Sequence, residues 1–403
     1  MEVTFIDLLL DPSKLGPWFH QVMLSWGFSE GLANLVGDVL GVLVIVALVL
    51  TSAIFLIWLE RKVAARFQDR LGPNRAGPYG LFQTFGDIVK LLTKEDVVPD
   101  GADRVSFNIA PALAVFQIFM VAAVLPLAPH VIGADLNIAL LYIVAISGIA
   151  ATGALMAGWS SNNKYALLGG FRVVAQLLSY EIPLILVMLA VVLFANTMGM
   201  NSLAEKQGEL IFGFFPGWYI FVMPLAFVLF FVAALAEGER APFDLLEAES
   251  ELVAGYFVEY SGMKFAWFYL QFFVNSLLLS AIITTLFLGG WQGPFVDKAP
   301  VLGFFYFFAK TTIVLLSMIW VRATFPRLRI DQMMSFCWKV LVPMALVAVF
   351  LTAIVVKLPV ERDIQVLILS GTNIIALLIG LGLVGRALRK QIDSHKSAVP
   401  VSR

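Results

Sequence analysis

A single cysteine, Cys337, excludes an internal disulfide and any cluster held by thiolates. Histidine is almost as scarce, and His20, His130 and His395 are too scattered to suggest a metal site. We read no P-loop, no nucleotide-binding GxGxxG and no HExxH in the chain. Neither a nucleotide, a haem, a zinc ion nor an iron–sulfur cluster is therefore expected on this polypeptide alone, and no nucleic acid as a partner. Charge is also thin: only 14% of the 403 residues are Asp, Glu, Lys or Arg, and the net charge is -1.

What is present is apolar. Hydrophobic residues make up 60% of the chain and the mean hydropathy is +0.90, more than a soluble domain could cover with polar groups. Nine runs of spanning length follow one another at roughly 38–59, 108–129, 138–159, 180–199, 217–236, 265–288, 303–322, 340–356 and 364–385. The expected fold is all-α, a polytopic membrane protein of about nine transmembrane helices in one integral domain. The first run is too long for a signal peptide and is read as a retained helix. Before it, Trp18 to Leu35 suggests a short interfacial helix. The odd-numbered loops carry 16 Lys or Arg and the tail five, against four in the even-numbered loops. That bias predicts an N-terminus outside and a cytoplasmic C-terminus.

The densest chemistry lies in EGERAPFDLLEAESELVAGYFVEYSG, residues 237–262. Seven of the 28 acids stand here (Glu237, Glu239, Asp244, Glu247, Glu249, Glu251 and Glu259) with one base, Arg240. If the part after Pro242 is helical, Asp244, Glu247 and Glu251 share a face that Glu259 continues. A solvated acidic loop is the plain alternative, but Phe243, Leu245, Leu246, Leu252, Val253 and Tyr256 interleave with the acids. The stretch reads as a buried acidic relay.

Three other stretches stand out. The first run ends in Glu60-Arg61-Lys62 and leads into a loop with Gly72-Pro73, Gly77-Pro78 and Gly80 at tight turns. Beyond it, GLFQTFGDIVKLLTKE reads as an amphipathic helix with Leu81, Phe85, Ile88 and Leu92 on one stripe and Asp87 on another face. Such a helix beside an intramembrane Glu-Arg pair is what a lateral entrance for a lipid-borne molecule needs, though the basic run also fits simple anchoring at the membrane surface. Tyr180 and Glu181 are placed at the opening of the fourth helix, where a carboxylate favours the helix dipole. Arg322, Arg327 and Arg329 are available to pair with the acids of 237–262. Lys310, inside the seventh run, calls for a carboxylate partner or for snorkelling.

The runs GPNRAGPYGLFQTFGDIVKLLTKED, WSSNNKYALLGGFRVVAQLLSYE, RAPFDLLEAESELVAGYFVEYSGMKF, GGWQGP and RATFPRLRIDQMMSFCWK closely resemble the family of membrane-heel subunits of proton-translocating NADH:quinone oxidoreductase, respiratory complex I. The resemblance covers roughly residues 38–356, with 1–37 as an N-terminal segment and 357–403 as an extra helix and basic tail. It implies an enzyme subunit that is not catalytic alone and sits in the cell (inner) membrane. It implies a quinone tunnel involving Glu60, Arg61, Asp87 and Arg322, and a proton relay of Glu181, Glu237, Asp244, Glu247, Glu249, Glu251 and Glu259 with Arg240 as counter-ion. Implied partners are the hydrophilic quinone-site and iron–sulfur subunits, small membrane subunits, antiporter-like subunits, membrane lipid and quinone (ubiquinone or another). Flavin mononucleotide and iron–sulfur clusters would belong to those partners.

Two departures are visible. Relatives often carry a Glu-Tyr pair where this chain has Phe272-Phe273, and usually Tyr where it has Ile330. The alternatives kept open are the equivalent component of a membrane-bound hydrogenase or ferredoxin-oxidising complex and, from a different class, an independent ion transporter. No inverted repeat or pair of broken helices speaks for the transporter.

Overall fold

A backbone inside a bilayer has no water to bond to, so runs this apolar must become helices that satisfy their own N–H and C=O groups. The computed structural model describes residues 10–211, 215–244 and 253–398, which form an all-α polytopic membrane protein. In chain order the helices are α1 (Leu15–Ser25), α2 (Glu30–Phe67), α3 (Gln83–Thr93), α4 (Arg104–Ala123), α5 (Ala139–Ser160), α6 (Lys164–Ala195) and α7 (Met200–Lys206). After the two short strands β1 (Leu210–Ile211) and β2 (Phe215–Pro216) come α8 (Tyr219–Val222), α9 (Pro224–Glu237), α10 (Gly262–Phe287), α11 (Val301–Thr324), α12 (Ile330–Phe336), α13 (Val342–Val356) and α14 (Arg362–Ala398).

Among the described residues eight helices, not nine, are long and apolar enough to cross a membrane. The span expected at 217–236 is instead the broken pair α8 and α9. Met223 leaves helical geometry at φ -131°, and Pro224 has no N–H with which to continue α8. The break is tied down from inside. Buried Gln207 accepts from the N–H of Tyr219 at 3.3 Å and of Gly289 at 2.9 Å, and its amide donates to the Thr285 carbonyl at 2.8 Å.

Helix ends also differ from the apolar runs. α2 starts at Glu30 and takes the last third of the expected interfacial segment, whose first part lies in the 11-residue α1. The fourth span starts at Lys164, capped by Asn163 Oδ1 on the Tyr165 N–H at 2.9 Å. Glu181 therefore lies in the middle of α6 rather than at a helix N-terminus, and dipole capping does not explain it. Residues 330–339, read as loop, continue α13 backwards through a π-helical turn at Cys337–Leu341.

α6 lies against α5, α9 and α13, and buried Tyr180, Tyr219, Phe230 and Phe287 fill the core around it. Cys337 is fully buried with its thiol on the Ser179 carbonyl at 3.0 Å, as a small core side chain. Gly380, Gly382 and Gly385 do spell GxGxxG, but within α14. A dinucleotide fingerprint needs a strand, a tight turn and a helix start. Here Gly380 instead admits Met344 of α13, whose Cε would lie 2.4 Å from an added Cβ.

Candidate functional site

The charged side chains gather at the end of the bundle where α2, α9 and α11 meet. Glu60, 7% exposed on α2, receives two guanidiniums: Arg240, just after α9, and Arg322, near the end of α11. Arg240 is itself 4% exposed. Its Nε donates to Ser276 Oγ at 2.8 Å, and its Cζ lies 4.3 Å from the Phe272 ring centroid and 5.2 Å from that of Phe273. The two aromatic residues thus present ring faces to a buried cation where relatives are expected to have an acid and a phenol. Glu60 does not pair with its neighbour Arg61, as the adjacent letters suggested. On a helix consecutive side chains point about 100° apart, so Arg61 turns outward and donates to Asp87 Oδ2 on α3 at 2.8 Å.

Asp87 also holds Lys90 at 3.5 Å. The stripe of α3 lies open: Phe85 is 49% and Leu92 58% exposed, Leu81 just before it 38%, and Ile88 is half-buried. The turns before the helix use the glycines as expected, with Gly77 and Gly80 at φ +73° and +77°. Trp58 of α2 ties that turn down by donating its indole N–H to the Tyr79 carbonyl at 3.1 Å.

On both sides of Arg240 the chain is anchored by other segments. Gln176 of α6 donates to the carbonyls of Ala236 and Phe243 at 2.8 and 3.0 Å, and Leu328 N–H donates to the Pro242 carbonyl at 2.9 Å. Asp244 is 8% exposed and takes Arg327 Nη2 on Oδ2 at 3.0 Å. Glu239 is buried too. Glu247, Glu249 and Glu251 lie outside the described residues. Glu259 does not extend a helical face from them, because Val253 and Gly255 take positive φ and a 3-10 turn at Gly255–Phe257 intervenes. It accepts instead from Asn163 Nδ2 at 2.6 Å, close to an aromatic cluster where Tyr260 stacks on Phe107 at 4.0 Å. Burial there pushes the Tyr260 phenol up to about 12, keeping it a donor to the Phe107 carbonyl at 3.2 Å.

A second centre lies between α4, α5, α6, α9 and α10. Glu181 and Glu237 line one cavity of about 30 Å³ together with Gln117, Ser147 and Asn275. Ser147 Oγ donates to Glu181 Oε1 at 3.1 Å. Asn275 Nδ2 donates to the backbone carbonyl of Glu237 at 3.3 Å. Glu237 Oε2 and Gln117 Oε1 are buried with no hydrogen-bond partner among the described residues. Gln117 and Asn275 escape a search for charges. The trace they leave is an amide inside an apolar run, alone at the middle of α4 for Gln117 and four residues after Gln271 for Asn275, and an amide in a membrane helix marks a polar contact between helices.

For Lys310 a carboxylate partner is one of two expectations, and among the described residues no carboxylate meets it. Its ammonium donates to the carbonyls of Leu288, Gly290 and Gln292 at 2.7, 3.1 and 2.6 Å and sits 4.3 Å from the Trp218 ring centroid. These carbonyls belong to the end of α10 and the turn after it, where helical C=O groups lack internal partners. Among the described residues no group of three or more His, Cys, Asp or Glu could hold a metal ion.

Fold and site together define a multi-pass membrane protein whose ionisable residues are gathered in buried centres between helices. The sequence model of the NADH dehydrogenase family matches residues 40–353, and the chain belongs to that family. It is 48% identical over 336 residues to the H subunit of NADH-quinone oxidoreductase from Dehalococcoides mccartyi (strain CBDB1), covering 83% of this chain and 91% of that one. It is also similar to the H subunits from Brevibacillus brevis (strain 47), 46% identical over 79% of this chain and 93% of the relative, and from Geobacillus kaustophilus (strain HTA426), 48% over 77% and 91%.

Proposed function

We propose that this chain is the membrane subunit of a proton-pumping NADH-quinone oxidoreductase, and that it guides quinone past Glu60 and couples its reduction to proton movement. The observation that carries the reading is Arg240. One residue joins the two halves of the function: its guanidinium holds Glu60 of α2, while its backbone lies three residues after Glu237 and four before Asp244. A charge that arrives or leaves beside Glu60 pulls on the same cation that anchors the acidic segment, so an electrostatic event in the tunnel becomes a force on the relay.

Quinone enters over the open apolar stripe of α3 and passes the Arg61–Asp87 pair and the Glu60–Arg322 contact. Glu181, Glu237, Asp244 and Glu259, with Glu247, Glu249 and Glu251, carry the proton or the charge shift onward to antiporter-like partners. Flavin mononucleotide and the iron–sulfur clusters belong, on this reading, to hydrophilic partner subunits, in keeping with the single cysteine of this chain. The charged end then faces the cytoplasm, with the C-terminus on the same side and the N-terminus outside, in the cell membrane.

The test begins with the complex that co-purifies with this chain in mild detergent. NADH-dependent, inhibitor-sensitive quinone reduction by that complex is the expected result, and hydrogenase or ferredoxin activity would overturn the reading. In reconstituted vesicles Glu237→Gln should leave assembly and NADH oxidation by an artificial acceptor intact. It should lower proton pumping linked to quinone reduction by about a hundredfold, the scale of a lost proton-transfer group. Normal pumping in that variant would remove Glu237 from the relay.

A further inference from the structure

We propose that the cavity between α7, α8 and the start of α14 binds the head group of a phosphatidylethanolamine from the surrounding membrane. Its phosphate lies on Lys206, Arg362 and Tyr219, and its amine on Glu209 and Asp363. The site depends on neither the tunnel nor the relay.

The place suits a lipid. Arg362 opens α14, which is long and apolar enough to span a bilayer, so its first turn stands at the level of the head groups. Tyr219 comes just before α9, whose other end leads to Arg240, which puts this cavity at the end of the bundle away from Glu60. The cavity measures about 100 Å³. That is small against the roughly 300–1,000 Å³ of a pocket that encloses a drug-sized ligand, so it admits a head group while the acyl chains stay in the bilayer. Phe194, Val222 and Val366 supply an apolar part of its wall. Arg362 and Asp363 lie beyond residue 353, where the family match ends. The site is therefore assembled partly from the family core and partly from the helix added to it.

Charge decides which head group fits. Two cations, Lys206 and Arg362, and two carboxylates, Glu209 and Asp363, line the cavity. Glu209 pairs with Arg362, while Asp363 has no ion-pair partner among the described residues. Lys206 donates one of its three N–H groups to the Ala195 carbonyl. A purely anionic head group would be repelled by the two carboxylates and a purely cationic one by the two cations. One that carries both signs meets its complement on each side. A primary ammonium also brings three N–H donors for the carboxylates, which a quaternary amine lacks. Tyr219 points to a ligand independently of charge. It is 1% exposed and lines this cavity, and its phenolic oxygen is buried with no hydrogen-bond partner among the described residues. A bare hydroxyl of this kind is costly and uncommon, and a phosphate oxygen accepts its proton in a charge-assisted hydrogen bond.

The experiment uses the purified complex, stripped of lipid in detergent. Amide hydrogen exchange over residues 206–222 and 360–366 is followed while short-chain phosphatidylethanolamine is titrated in. Exchange there should slow, and phosphatidylcholine at the same concentration should leave it unchanged. Arg362→Gln should raise the half-saturating concentration at least about tenfold, the scale of one lost charge-assisted hydrogen bond. Arg362→Lys, which keeps the charge, should recover most of that loss. Tyr219→Phe removes one oxygen and keeps the ring. It should raise the half-saturating concentration by about three- to tenfold, and it carries the test if Arg362→Gln does not assemble. Equal slowing by phosphatidylcholine or phosphatidylglycerol would overturn recognition of the head group. Slowing by soluble phosphoethanolamine but not by the lipid would make the occupant a free phosphoester and overturn the lipid. No slowing by any of these compounds would leave the cavity to water and overturn the proposal.

Discussion

Helix α11 carries two half-buried cations, one in mid-helix and one near its C-terminal end, and the two are met in opposite ways. Arg322 reaches a carboxylate of another helix, Glu60, which also holds Arg240. Lys310, 12 residues earlier and so about 18 Å away along the axis, is met by three backbone carbonyls and the Trp218 ring. Backbone carbonyls do not titrate and do not leave, so the Lys310 contact fixes a turn and nothing more. A carboxylate shared by two arginines is different: its charge ties α2, α11 and the segment after α9 together, and a new charge nearby competes for the same partners. Lys310 is thus held by backbone, whereas Arg322 ties one helix to another through a charge that can be competed for.

The largest effect should come from breaking that shared carboxylate. Glu60→Gln removes the charge of the carboxylate that both guanidiniums share, a loss of about 3–5 kcal/mol for a buried network deprived of one member. Thermal melting of the purified complex should fall clearly, and quinone reduction should go with it. Arg322→Met should cost less, because Glu60 keeps Arg240 and Arg322 is itself partly exposed, 34% for its side chain. If the two variants melt alike, the triad does not share its charge as described.

Lys310→Met sharpens the contrast from the other end. It strips three charge-assisted hydrogen bonds from Leu288, Gly290 and Gln292, and bared carbonyls of this kind cost about 1–3 kcal/mol. The complex should melt a few degrees lower, yet the complexes that survive should reduce quinone and pump protons as before. Lost coupling with unchanged melting would show that Lys310 belongs to the working machinery.

Much of this was legible in the letters, and the parts that were not share a cause. Hydropathy marks the spans because desolvation depends on composition alone, which is why eight of nine apolar runs are helices of spanning length. It misses Lys164 as a helix start, since a polar opening such as NNKY is helical only because Asn163 caps it and α5 packs beside it. It also misses the break at Met223, where the runs on either side are uniformly apolar. For the site, acids and bases can be seen one by one, but their partners depend on packing. Glu60 meets Arg240 at a separation of 180 residues, Lys310 meets backbone that no side-chain pattern encodes, and Gln117 gains interest only from the cavity it lines. The contact of Glu60 with Arg322, 262 residues further on, is likewise a product of packing.

The smallest effect should follow from Asp87→Asn, and its size tests whether burial is what separates these centres from ordinary surface charge. Asp87 holds Arg61 and Lys90 at the foot of α3, with side-chain exposures of 47% for Arg61, 67% for Lys90 and 24% for Asp87 itself. Pairs this open to solvent contribute about 0–1 kcal/mol, and salt weakens them further. Melting should barely move. Since the pair also pins α3 against α2, a shift should show instead in the apparent KM for quinone, with little change in kcat, because the proposed route places quinone entry, not its reduction, beside this helix. If Asp87→Asn destabilises the complex as strongly as Glu60→Gln, exposure is not what distinguishes the two. The contact between α2 and α3 would then have to be buried against a partner subunit in the assembled enzyme.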